Sequence, residues 1–227
     1  MKSIVFKSGS LLWSGLNRLA EDGLRRGWIR PRKLPARVVS VGNIQAGGAG
    51  KTPLVARIAR EASSRGLVVV ILCRGYGGAW EVKGGVLAPG VATPPANLCG
   101  DEAALLHELV PEAWIGIGAD RWRSFESCAR DVAAQGVHER RIDLVILDDG
   151  FQHRKIQKDV EVVALTSRAS GEAFFRESAR ALARAHLLVW TKGEREPAGL
   201  RVSGIPFVRA RYRLPERPFK EAVGLVT

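Results

Sequence analysis

Lys51 and Thr52, set behind Gly47, Gly48 and Gly50, together with the carboxylate pair Asp148 and Asp149 far downstream, are the residues of this chain whose types and spacing could do chemistry. The first group belongs to the stretch 38–53, VVSVGNIQAGGAGKTP, in which an apolar run leads into a glycine-rich loop and then a helix-forming stretch from Leu54. In such an order the backbone N–H groups of the loop point at phosphate oxygens, a lysine reaches the β- and γ-phosphates, and a threonine hydroxyl can ligate Mg²⁺. The loop candidates are therefore Gly47, Gly48, Ala49, Gly50, Lys51, Thr52 and Pro53. One position departs from the G-x-x-x-x-G-K-[ST] pattern, with Gln45 where the first glycine belongs. A glycine-rich turn carrying a chance GKT is the alternative, and the flanking strand and helix argue against it.

The second group ends the apolar run LVILDD at 144–149. A carboxylate at the end of a buried strand beside a phosphate loop holds Mg²⁺ directly or through water, because a hard cation prefers oxygen ligands. Read without the loop, Asp148 and Asp149 would equally suit a strand-end turn. His153 invites a metal reading from its D-x-x-x-H spacing, but Mg²⁺ rarely takes imidazole. A histidine there more often positions a neighbour or touches substrate.

These residues need a scaffold, and the chain alternates between apolar strands and helical stretches. Strands are expected near 38–41, 67–72, 114–117, 144–147, 160–165 and 187–190, and helices near 54–64, 102–109 and 121–135. The stretch 80–95, rich in Gly, Pro and Val, is expected to form a short hairpin or an irregular excursion. Five or six strands separated by helices predict an α/β fold, a mostly parallel sheet with helices on both faces, of the phosphate-loop NTPase kind.

Composition narrows the class. With 227 residues, 46% hydrophobic and 26% charged, the chain has the make-up of a globular α/β protein. Cys73, Cys99 and Cys128 stand far apart, which suggests neither a disulfide framework nor a structural zinc site and points to a reducing compartment. No apolar run approaches the roughly 18 residues of a spanning helix, and no signal peptide is evident. The charge is placed unevenly: residues 1–37 carry nine Lys/Arg against Glu21 and Asp22, or +7 of the net +12. There Trp13, Trp28 and several leucines alternate with cations at helical spacing, the make-up of an interfacial membrane segment. Each cation near an anionic leaflet contributes on the order of 1 kcal/mol. A helix packed on the domain with a solvated basic face fits the same residues, and so, less well, does a nucleic-acid patch.

The words VGNI (41–44), GGAGKTP (47–53), RGYG (74–77), GDE (100–102), ADR (119–121) and DDGFQH (148–153) resemble, in order and spacing, the tetraacyldisaccharide 4′-kinase family of lipid A biosynthesis. The resemblance covers nearly the whole chain. It implies the N-terminal lobe of a two-lobe, ATP- and Mg²⁺-dependent kinase at the cytoplasmic face of the bacterial inner membrane. That kinase phosphorylates the 4′-hydroxyl of a lipid disaccharide 1-phosphate, with no nucleic-acid or protein partner implied.

The family's roles fall on matching residues. Lys51 and the loop amides neutralise phosphates, Thr52 with Asp148 or Asp149 holds Mg²⁺, Asp101 accepts the proton of the sugar hydroxyl, and Glu102 supports it. Arg121 is a catalytic candidate and Arg74 a contact for the acceptor phosphate, while Gln152 and His153 lie towards the substrate. Residues alone leave Asp101 equally suited to a helix N-terminus. The implied organisation is an interfacial segment at 1–37, a kinase domain at 38–215 and the start of a second lobe at 216–227.

Two departures stand out. Where the family has a proline-bracketed leucine-arginine-glutamate word, this chain reads FFRES at 174–178, and Ala103 stands where GDE is usually followed by proline. Two rivals remain at this level: a phosphate-loop ATPase or GTPase switch without lipid substrate, and a nucleic-acid-binding protein driven by charge. Ala46 counts against the switch, which usually has a lysine before the double glycine. TKGE at 191–194 only faintly resembles a guanine-reading loop.

Overall fold

The computed structural model describes residues 23, 26–28, 30–45, 48–135, 141–167, 177–197 and 199–212. The proposed interfacial segment lies mostly outside them, as do Gly47, the residues 174–176 of the FFRES word and the expected start of a second lobe.

An eight-stranded sheet forms the frame, in the order β3-β4-β2-β5-β1-β6-β7-β8. Its strands are β1 (Arg37–Gly42), β2 (Val69–Cys73), β3 (Gly85–Leu87), β4 (Trp114–Ile117), β5 (Leu144–Asp148), β6 (Val160–Thr166), β7 (Leu187–Lys192) and β8 (Phe207–Arg209). All neighbours pair in parallel except β3, which runs antiparallel to β4 at the edge. Parallel strands need crossovers, supplied here by α1 (Lys51–Ser64), α4 (Asp101–Leu109) and α5 (Arg121–Ala134). Two single-turn helices, α2 (Trp80–Lys83) and α3 (Ala96–Cys99), interrupt the connection from β2 to α4.

The central strands read as continuous apolar runs because both their faces are covered. On one face, Val55, Ala59, Ala103 and Leu106 of α1 and α4 pack against Val41, Ile71, Ile115 and Ile146. On the other, Phe125, Cys128 and Val132 of α5 pack against Val70, Leu72, Val145 and Leu147. A third cluster joins Phe151, Val163, Leu165 and Leu188 to Leu182 of the 3₁₀ turn Ala179–Arg184. Glu177, read from sequence as part of an altered loop, is buried and paired with Arg154 at 3.3 Å and Arg184 at 2.7 Å, which ties that turn to the segment after β5.

The stretch 80–95 is neither a free hairpin nor wholly irregular. One helical turn precedes β3, which pairs with β4 rather than with a strand of its own. This excursion matters because it presses the RGYG and GDE segments together. Gly100 has φ +88°, and a Cβ built there would lie 2.7 Å from the carbonyl carbon of Gly75. One built on Gly75 would lie 2.8 Å from the Cys99 carbonyl oxygen. Only glycine allows this backbone-to-backbone approach. Gly100→Ala is therefore expected to cost about 1–3 kcal/mol of stability, read by urea unfolding, and an unchanged midpoint would contradict the tight contact.

Candidate functional site

β1 delivers the chain into the glycine-rich loop, and α1 leaves it with Lys51 as its first residue. Val41 pairs with Asp148 across the β1–β5 ladder, so the strand carrying the carboxylates ends beside the loop. Gly50 caps α1 in the left-handed conformation (φ 67°), and among the described residues no side chain caps the helix in its place. The first N–H groups of α1 thus remain available to an anion at the positive end of the helix.

Lys51 Nζ lies 3.4 Å from Asp149 Oδ1, with both side chains largely enclosed. Asp149 has φ 52°, the one described non-glycine residue in the left-handed region, and this turn brings its carboxylate back to the lysine. Asp148 is 2% exposed, and burial pushes its carboxyl up to about 7, with the negative charges of Glu102 and Asp149 adding to the rise and Lys51 and Arg121 opposing it. Its Oδ1 is enclosed without a hydrogen-bond partner among the described residues. A buried carboxylate oxygen left in this way is what a bound cation would satisfy. The donors at hand are all hard oxygens: Thr52, Asp148 and Asp149. Among the described residues no group of three or more His, Cys, Asp and Glu could hold a metal.

Arg121 begins α5 and is 7% exposed, its guanidinium donating to the Gly118 carbonyl at 2.6 Å. Burial lowers its affinity for a proton, while Cys73, Asp148 and Asp149 work against that. The sequence marked Arg121 as catalytic but gave no sign that it is enclosed beside the carboxylates. Arg74 is exposed and pairs with Glu81 at 2.7 Å, so it faces solvent from the RGYG loop. Asp101 and Glu102 are exposed in the first turn of α4, whose cap is Gly100. Asp101 is thus the first residue of the helix rather than its cap. His153 is half-buried, its Nε2 without a partner among the described residues. Burial, helped by Arg121, Lys158 and Lys155, drops its imidazole to about 4, so it is neutral near pH 7. Gln152, expected to look towards substrate, donates to the Asn43 carbonyl at 2.9 Å and so supports the start of the loop.

Several contacts to the loop come from residues the sequence did not single out as site residues. Gln45 accepts from the Thr166 N–H at 2.8 Å and donates to the Thr166 carbonyl at 3.2 Å, fixing the loop to the end of β6. A glycine could not make this double contact, which accounts for the departure at that position. Thr191 donates to the Ala49 carbonyl at 2.7 Å, and Tyr212 to the Gly50 carbonyl at 2.7 Å. TKGE at 191–194 thus turns its threonine onto the phosphate loop. Its odd sequence was the signal, but its purpose depends on where β7 lies.

A phosphate-loop fold with hard-oxygen and cationic groups gathered at the carboxyl ends of the central strands of a mostly parallel sheet defines the class of this protein. A family model described as LpxK, tetraacyldisaccharide-1-P 4′-kinase, matches residues 3–218, and the chain belongs to that family. The tetraacyldisaccharide 4′-kinase of Syntrophobacter fumaroxidans is 39% identical over 175 residues, 74% of this chain and 44% of that protein. The one from Pelobacter propionicus is 34% identical over 214 residues, 90% of this chain and 57% of its own length. Among solved structures, an "apo" form of LpxK from Aquifex aeolicus in complex with ATP superposes with a TM-score of 0.75 at 27% identity, covering 92% of this chain and 64% of that one. The chain spans about half the length of the curated relatives it matches.

Proposed function

We propose that this chain carries the nucleotide-binding part of a kinase that transfers the γ-phosphate of ATP to the 4′-hydroxyl of tetraacyldisaccharide 1-phosphate. The observation that carries the reading is the Lys51–Asp149 pair beside the buried, unsatisfied Asp148 at the mouth of a glycine-rich loop, in a chain of this family. In the reaction Lys51 and the amides opening α1 hold the phosphate chain, at the cost of the lysine's pairing with Asp149. Asp101 accepts the proton of the attacking hydroxyl, supported by Glu102. Arg121 and Arg74 supply guanidinium contacts to phosphate oxygens. Such chemistry is mostly positioning and charge stabilisation, so a rigid loop and a correctly placed carboxylate account for most of what the protein must do. Thr52, Asp148 and Asp149 would hold Mg²⁺, which when bound neutralises charge on the β- and γ-phosphates.

An acceptor with four acyl chains stays in a bilayer, so the enzyme must come to it. We assign that task to residues 1–37, at the cytoplasmic face of the inner membrane, with 38–215 as the kinase domain and 216–227 opening a second lobe. Among the described residues no helix is long and apolar enough to cross a membrane, and Trp28 at 74% exposure, with the Arg26 guanidinium over its ring, suits an interface. Removing residues 1–30 is expected to move the protein from membrane to soluble fractions on sedimentation. Retention on the membrane would contradict the assignment. The function itself is tested by transfer of γ-labelled phosphate from Mg²⁺-ATP to the lipid acceptor in detergent micelles. Labelled lipid is the expected product, and release of phosphate to water alone would overturn the reading.

A further inference from the structure

In a glycine-rich loop each peptide unit can flip at little steric cost, so something must hold its N–H groups towards the phosphates. A trans peptide fixes the answer geometrically, because its C=O and the following N–H point in opposite directions. Whatever binds the carbonyl of one residue on the outside of the loop therefore turns the next N–H to the inside.

Two carbonyls of this loop are bound from outside by side chains that arrive late in the chain. Thr191 is 7% exposed at the end of β7, and its hydroxyl meets the Ala49 carbonyl at 2.7 Å and the Leu165 carbonyl at 3.0 Å. It has one proton for two carbonyls, and the shorter contact is to Ala49. The Tyr212 hydroxyl meets the Gly50 carbonyl at 2.7 Å. The two side chains also close on Gly50 itself: a Cβ built there would lie 3.1 Å from the Tyr212 ring and 3.2 Å from Thr191 Cβ.

We propose that Thr191, with Tyr212 as a weaker second, is a positioning residue that sets the phosphate-binding direction of the Gly50 and Lys51 amides by anchoring the carbonyls before them. Among the described residues, Thr191 is the side chain that binds the carbonyl of the Ala49–Gly50 peptide. Gly50 caps α1, a position whose carbonyl ordinarily also opens the helix's hydrogen-bond ladder, so that peptide should keep its direction better without Tyr212. The inference rests on the reading of the loop as a nucleotide site and adds the groups that shape it.

Thr191→Val keeps the side-chain shape and removes the donor, whereas Thr191→Ser keeps the donor. Equilibrium binding of a fluorescent ATP analogue and of inorganic tripolyphosphate to the 227-residue chain separates the possibilities. The valine variant is expected to bind both ligands about 10-fold more weakly, Thr191→Ser within about 2-fold of wild type, and Tyr212→Phe between them, in line with the modest net worth of single hydrogen bonds. Valine binding ATP like wild type overturns the proposal, as does a loss confined to ATP with tripolyphosphate unaffected, which would mark a nucleoside contact instead. Wild type binding neither ligand overturns the nucleotide reading and the anchor with it. Should Thr191→Val fail to fold, the serine and phenylalanine variants decide. Tyr212→Phe weaker than wild type for both ligands supports the anchor, and both variants at wild-type affinity overturn it.

Discussion

Asp101→Asn should lower phosphoryl transfer by about 10²–10⁴-fold, the usual worth of a positioned acid–base group, while ATP affinity stays within about 2-fold of wild type. The substitution keeps the size of the side chain and removes only its ability to take a proton. Asp101 is exposed at the start of α4, and no hydrogen bond of its side chain holds the described fold together, so its loss leaves the scaffold intact. The phosphate loop is anchored separately, through Gln45, Gln152, Thr191 and Tyr212, and none of these touches Asp101. A loss of rate at constant affinity therefore separates the base from the nucleotide site. Glu102→Gln is the informative companion. Glu102 bears on the buried Asp148 through its charge, so its neutralisation should lower the Asp148 pKa and cost far less rate than Asp101→Asn. Full activity in Asp101→Asn would remove it as the base.

The parts of this protein that could be read from sequence are those governed by local pattern. The run WIGI is a strand at Trp114–Ile117 because all four residues are buried between helix layers, and LVILD is one at Leu144–Asp148 for the same reason, all but its first residue being buried. Helix α1 begins at Lys51 rather than at Leu54 because the left-handed Gly50 starts the helix directly from the loop. The strand β8 was not foreseen, and β3 only as part of a possible hairpin at 80–95 rather than as a partner of β4: each has three residues and gains its identity by pairing at an edge of a sheet already formed. The site divides along the same line. Lys51, Asp148 and Asp149 announce themselves by motif. By contrast, Gln45 bonds to Thr166 and Gln152 to the Asn43 carbonyl, and no local pattern links positions so far apart. Arg121 was legible as a residue, but not as a buried cation whose neighbours are Asp148, Asp149 and Cys73. Residue type carried the chemistry, and topology decided which groups feel one another.

Asp148→Asn should abolish metal-dependent transfer and at the same time make the nucleotide-free protein more stable above pH 7. Asp148 is held at a raised pKa of about 7 in the folded chain against 3.8 for the free side chain. The folded state therefore holds this proton more tightly than the unfolded one. Stability from the group is fully present below about pH 3.8, is lost as pH rises, and is gone above about pH 7. At about 1.4 kcal/mol per pK unit the full shift bounds the cost near 4 kcal/mol. Because an asparagine amide is also polar and enclosed there, the net gain at pH 8 should be on the order of 1–2 kcal/mol, or several degrees in Tm. The gain should shrink as pH falls from 7 towards 4, the range in which folding of wild type takes up this proton, and it should vanish for wild type saturated with Mg²⁺ and ATP. A variant no more stable than wild type at pH 8 would mean that Asp148 already has a satisfied partner in the free protein. The carboxylate proposed to bind the cation would then carry no folding penalty, and the electrostatic account of the site would fail.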